Sequence, residues 1–166
     1  MGFRAFYSFH YVPDGWRAAQ VRNMGIVEGN QSIADNAWES LKRTGDVAVK
    51  RWINSQLQGR SCAIVLIGQN TANRKWINYE IETAWAAGKG VVGVYIHNLL
   101  DRNKLQSSKG ANPFDYVSLP SGVRMSQVVQ AYDPPFKTSG YVYSDIQEKL
   151  ESLVSAAIAV RNRYPR

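Results

Sequence analysis

Apolar residues along this chain fall into short unbroken runs, separated by segments in which they recur every three or four positions. The run FRAFYSF at 3–9 contains no breaker and stops before His10, Tyr11 and Pro13, which predicts a buried strand. SCAIVLIG at 61–68 and GVVGVYIH at 90–97 are continuous and rich in β-branched residues, the pattern of central parallel strands covered on both faces. Between them, 74–87 reads as a helix that Gly88 stops. Two buried strands joined by one helix make a βαβ unit with a right-handed crossover.

The remaining segments predict further helices and shorter strands. A helix is expected from about Trp16 to Met24, and a short second strand within 25–35, around Ile26, Val27, Ile33 and Ala34. Asn36 with Glu39 three residues later resembles a capping box that opens a helix. Val47, Val49, Trp52, Ile53 and Leu57 fit one face of the next helix, which ends near Gly59. Residues 98–124 carry Ser, Lys, Gly, Asn and Pro without an apolar period and predict a long loop running over the surface. MSQVVQAYD at 125–133 is expected to be the last strand. Ser144 and Gln147 are expected to cap a final helix within 141–163, its apolar face made by Ile146, Leu150, Leu153, Ala157 and Val160.

This alternation defines a three-layer α/β fold of flavodoxin-like size, an open parallel sheet flanked by helices, with residues 1–166 forming one domain. Such sheets bind ligands at the carboxyl ends of their strands, where strand order reverses. The crevice is then bordered by Ser8, Phe9 and His10 on one side and Gly68, Gln69 and Asn70 on the other. The helix after Asn73 starts beside it, and Trp76 and Glu80, four residues apart, share one face at the border of that helix's buried stripe. A ring and a carboxylate together suit a substrate with a flat ring and a hydroxylated sugar, although a packing Trp and a solvated Glu would produce the same spacing.

Composition narrows the classes. Hydrophobic residues make up 45% and charged residues 20%, which excludes disordered, collagen-like and membrane-spanning compositions. The net charge is +7, but Arg161, Arg163 and Arg166 supply three charges at the basic end, and no aromatic-interleaved basic face or nucleic-acid motif accompanies them. The single cysteine, Cys62, lies within an apolar run as a small core residue and forms no intramolecular disulfide, in keeping with a reduced compartment. No signal-peptide layout opens the chain and no apolar run reaches the ~18 residues of a spanning helix, so a cytoplasmic location is expected. A phosphoacceptor receiver needs acidic residues at strand ends where this chain has Phe9-His10 and Ile67-Gly68. The segment HYVPDGW is not a phosphate loop, GxGxxG and Walker patterns are absent, and one Cys with only His10 and His97 argues against zinc catalysis.

The string WINYE at 76–80 matches the W-x-x-x-E motif that bacterial TIR domains carry on the helix after their third strand. The segments FYSFHY, GDVAVKRWI, CAIVLIG, TANRKWINYEIE, GKGVVGVYIHNL and KGANPFDY follow one another in register across most of 3–116, and this region resembles the TIR-like proteins of the Thoeris anti-phage systems. The resemblance implies an enzyme that splits NAD at the nicotinamide–ribose bond and makes a cyclic ADP-ribose-type messenger for a separate effector protein. NAD would be its substrate, with no other cofactor and no metal, and neither nucleic acid nor a membrane would be a partner. Carried over by residue, it makes Glu80 catalytic, lets Trp76 shape the pocket, and gives Ser8, Phe9 and His10 substrate contacts. A non-enzymatic TIR-type module that senses nucleotide or assembles with other TIR domains stands as the alternative, and self-association is compatible with both.

Overall fold

The computed structural model describes residues 3–30 and 35–165. Four parallel strands, β1 (Ala5–Ser8), β2 (Cys62–Ile67), β3 (Gly90–Tyr95) and β4 (Ala131–Tyr132), lie side by side in the order β1-β2-β3-β4. Ala5 pairs with Cys62, and Cys62 in turn pairs with Gly90. The helices of the described residues are α1 (Tyr11–Arg22), α2 (Asp35–Thr44), α3 (Asp46–Leu57), α4 (Lys75–Ala86) and α5 (Ser139–Arg161). The expected α/β architecture and the parallel neighbours 3–9, 61–67 and 90–97 are observed, with strand ends trimmed by one or two residues.

Alternation along each strand builds a core on each side of the sheet. Cys62, Ile64 and Leu66 face α1 and α5, meeting Ala18, Val21, Ile146, Leu150 and Val154. Ala63, Val65 and Ile67 face the opposite layer, where α2, α3 and α4 supply Trp38, Val49, Ile53, Ile77 and Ile81. The Cys62 thiol is buried and free, and burial pushes its pKa up to about 12, consistent with a small core residue. The same alternation directs the site: Phe6 faces the α4 layer, and Ser8, two residues on, follows it.

Several expectations are corrected. No strand forms over 25–30, and 31–34 lie outside the described residues. The segment touches β1 through one parallel bridge, Arg4 to Glu28, and then substitutes a side chain for the ladder, Tyr7 N donating to Asn30 Oδ1 at 2.8 Å. The first helix begins at Tyr11 rather than Trp16, because Pro13 occupies the first turn, where the missing N–H has no intrahelical partner to lose. Strand 125–133 shrinks to two residues behind a 3₁₀ turn at Met125–Gln127. α5 starts at Ser139 after Thr138, which places Ser144 inside the helix and not at its cap. α2 begins at Asp35, so a helix opens where it was expected but Asn36 is its second residue and not its cap; the Asn36 side chain lies outside the described residues.

The long segment after β3 is only partly a surface excursion. A 3₁₀ turn at Pro113–Tyr116, in which Phe114 N donates to Asn112 Oδ1 at 2.9 Å, inserts Phe114 into the core, and Val117 and Leu119 are buried with it. Gly88 ends α4 as expected: it sits at φ 79°, a left-handed conformation that favours glycine, while the amides of Ala87, Gly88 and Lys89 return to Thr83, Trp85 and Ala84. Among the described residues no helix is long and apolar enough to cross a membrane.

Candidate active site

β1 ends at Ser8, and the chain turns directly into α1, leaving Phe9, His10 and Tyr11 at the carboxyl end of the sheet. From the opposite side, the turn after β2 delivers α4, whose 3.6-residue period sets Trp76 and Glu80 on one face. The two meet: Ser8 Oγ donates to Glu80 Oε1 at 2.7 Å in a buried contact that joins residues 72 positions apart. Glu80 is not at the border of the buried stripe, where the periodicity had set it, but inside it, at 4% exposure between Ile77 and Ile81. The small Ser8 at the strand end makes room for this, since the carboxyl finds a donor where a larger apolar residue would leave it unpaired.

An ionised carboxylate removed from water is costly, so burial pushes the Glu80 pKa up to about 8, with the Ser8 hydrogen bond working against the rise. The group is mostly protonated at neutral pH. Above it lies a cleft of about 360 Å³ lined by Phe9, His10, Trp76 and Glu80 among others. Phe9, His10, Trp76 and Glu80 are brought together there, with Ser8 bonded to Glu80; Gly68, Gln69 and Asn70, expected on the far border, do not line the cleft, Gly68 being covered by the Asp14 carboxyl.

Aromatic rings form much of the wall. Phe9 lies 4.5 Å from Tyr11, and Tyr11 stacks on Trp38 at 5.1 Å and 26°. On the far side, Trp76 meets Tyr79 edge-on at 5.8 Å, and the Lys75 ammonium sits 4.9 Å from the Trp76 ring centre. Cations ring the opening: Lys42, Arg74 and Lys75 all line it. Burial, helped by the charges of Arg74 and Lys42, pulls the His10 pKa down to about 4, so His10 is neutral at pH 7. Its Nδ1 is buried without a hydrogen-bond partner among the described residues.

Tyr11, Trp38, Lys42, Asn73, Arg74 and Lys75 were not among the expected site residues. Arg74 and Lys75 were within reach of sequence reasoning, because they open the same helix turn as Trp76. Trp38 and Lys42 had no such signal, since no spacing ties α2 to α4. Among the described residues, no cluster of three or more His, Cys, Asp or Glu is arranged to hold a metal ion.

A parallel sheet in these layers, with a helix-borne W-x-x-x-E pair at the strand ends, defines a TIR-like α/β domain. The chain belongs to the family described as Thoeris protein ThsB, TIR-like domain, whose model matches residues 6–101. It is also similar to a protein of Bacillus cereus (strain MSX-D12) named "Putative cyclic ADP-D-ribose synthase ThsB1", with 42% identity over 123 residues. That stretch covers 70% of this chain and 64% of the relative's length.

Proposed function

We propose that this chain cleaves NAD between nicotinamide and ribose, with Glu80 as the catalytic residue, and closes the remainder into a cyclic ADP-ribose-type messenger for anti-phage defence. The observation that carries this reading is the buried Ser8–Glu80 pair at the base of an aromatic cleft. Membership of the Thoeris TIR-like family and the printed name of the Bacillus relative support it.

The chemistry follows from charge. The nicotinamide ring of NAD is cationic, and a positive charge beside Glu80 favours the ionised carboxylate, so substrate entry draws the proton from Glu80 to water. His10, held neutral, does not repel that ring, and Phe9 and Trp76 offer it aromatic faces. As the glycosidic bond lengthens, its electron pair leaves with the nicotinamide nitrogen and positive charge gathers on the ribose. The Glu80 carboxylate offsets that charge, and Ser8 holds it in orientation. Capture of the ribose carbon by a nucleophilic atom of the same molecule closes the ring, whereas capture by water gives the open product. The messenger then reaches a separate effector.

Glu80→Gln tests this. The amide keeps the side chain's size and can still accept from Ser8, but it carries no negative charge. Loss of about 2.7 kcal/mol of transition-state stabilisation slows turnover about a hundredfold. Glu82→Gln, exposed and about 200° around the helix, is the control that keeps turnover. Nucleotide products are separated after incubation with NAD, with and without extract from infected cells. A Glu80→Gln protein that melts like the parent and cleaves NAD at the parental rate removes the catalytic assignment, and the non-enzymatic TIR-type module becomes the better reading.

A further inference from the structure

The cations at the cleft differ in what they are bound to. Lys75 is paired with Asp46, and Lys42 meets Glu39 at 2.8 Å. Arg74 has no carboxylate in ion-pair reach among the described residues; its Nε donates to Asn70 O at 2.6 Å, which anchors the root of the guanidinium on an exposed residue. Arg74 is also the residue just before α4, with no side-chain cap bond, at the amino end of a twelve-residue helix whose first-turn amides have no intrahelical partner. Arg74 and Lys42, from different helices, both act electrostatically on His10, which places them around one wall of the same cleft.

We infer that Arg74, supported by Lys42 and the amino end of α4, is a binding site for the diphosphate of a nucleotide whose sugar lies against Glu80. This rests on the reading of the cleft as an NAD site and adds to it the groups that hold the anionic middle of the molecule. A guanidinium fork matches two phosphate oxygens at once, and a helix amino end carries partial positive charge aimed at the same anion. The diphosphate is the one strongly anionic part of NAD and adjoins the ribose attached to nicotinamide. A ribose over Glu80 therefore brings it to the cleft opening, where Arg74 is anchored without a direct ion pair among the described residues.

The experiment is calorimetric titration of the full chain with ADP-ribose, which has the diphosphate, and with nicotinamide riboside, which has no phosphate. Arg74→Ala weakens ADP-ribose binding by about tenfold or more, Arg74→Lys restores part of it, and Arg102→Ala leaves it unchanged. The parent's ADP-ribose affinity falls with added salt more steeply than that of Arg74→Ala, while nicotinamide riboside binds all four proteins alike. Melting curves confirm that each variant is folded. Equal ADP-ribose affinity in Arg74→Ala and parent, no ADP-ribose binding by the parent, or an equal loss for nicotinamide riboside overturns the site. NAD cleavage is measured separately. Cleavage of NAD by the parent with unchanged ADP-ribose affinity in Arg74→Ala removes the diphosphate site and leaves the reaction standing; lost ADP-ribose affinity in Arg74→Ala with no cleavage by the parent under activating conditions does the reverse.

Discussion

Glu80 joins stability to chemistry in one carboxyl group. Its pKa rises from 4.5 to about 8 in the fold because burial disfavours the charged form, the Ser8 hydrogen bond opposing. Between these two values the folded state holds a proton that the unfolded state has lost, so stability falls as pH rises through the window and levels off above about 8. The expected slope approaches about 1.4 kcal/mol per pH unit, and Glu80→Gln, which has no proton to lose, removes it. Denaturant titrations of both proteins from pH 5 to pH 8 check this; parallel pH dependences would show that Glu80 titrates normally. At this scale the sequence was informative where chemistry and spacing coincide. Trp76 and Glu80 stand four apart on one helix, and Ser8, Phe9 and His10 end a strand that could be recognised. Trp38 and Lys42 could not be placed, because only the packing of α2 against Tyr11 brings them to the cleft.

At the scale of elements, legibility followed burial. β2 and β3 are covered on both faces and so are written as unbroken apolar runs that admit one reading. β4 pairs through only two residues, Ala131 with Gly93 and Tyr132 with Val94, which is too short to impose a period on its sequence. The segment before α2 hydrogen-bonds β1 partly through the Asn30 side chain, and a side-chain bond leaves no strand pattern to read. β3 and α5 show how closely elements meet. A Cβ at Gly90 would stand 2.8 Å from Ile158 N and 2.9 Å from Ala157 C, both helix backbone atoms that cannot turn aside. Gly90→Ala is therefore expected to lift α5 from the sheet and cost about 1–3 kcal/mol, read as a lowered melting temperature. A variant that melts like the parent would mean that α5 rests further from β3.

On the scale of the whole molecule, the helix after β1 holds the loop after β3 through one buried arginine. Arg17 is 3% exposed, and its Nε donates to Leu99 O and its Nη2 to Leu105 O, each at 2.9 Å, while Nη1 reaches Asp14 Oδ1 at 3.3 Å. Asp14 is buried at 1% exposure, with its carboxyl packed against Gly68 at the end of β2, where a Cβ would lie 2.0 Å from Asp14 Oδ2. One guanidinium thus connects the turns that follow β1, β2 and β3, the first two of which lead into the cleft at Phe9, His10, Asn73 and Arg74. Burial raises the Asp14 pKa and the Arg17 charge lowers it, so the arginine is what makes the buried carboxylate tolerable. Arg17→Met fills similar volume but takes the donor from Leu99 O, leaves Leu105 O with only the Asp101 amide, and leaves Asp14 without its counter-charge, and should destabilise the protein by about 3–5 kcal/mol. Arg17→Lys should recover only part, since an ammonium cannot span both carbonyls and the carboxylate. Adding Asp14→Asn to Arg17→Met removes the uncompensated charge and should restore stability relative to Arg17→Met alone, the non-additivity expected of groups in one network. Hydrogen exchange localises the effect: the amides of Leu99 and Leu105 should lose protection in Arg17→Met before those of β2. If Arg17→Met melts with the parent and protects 99–105 equally, the arginine does not hold the loop, and the turns at the strand ends are set by the sheet alone.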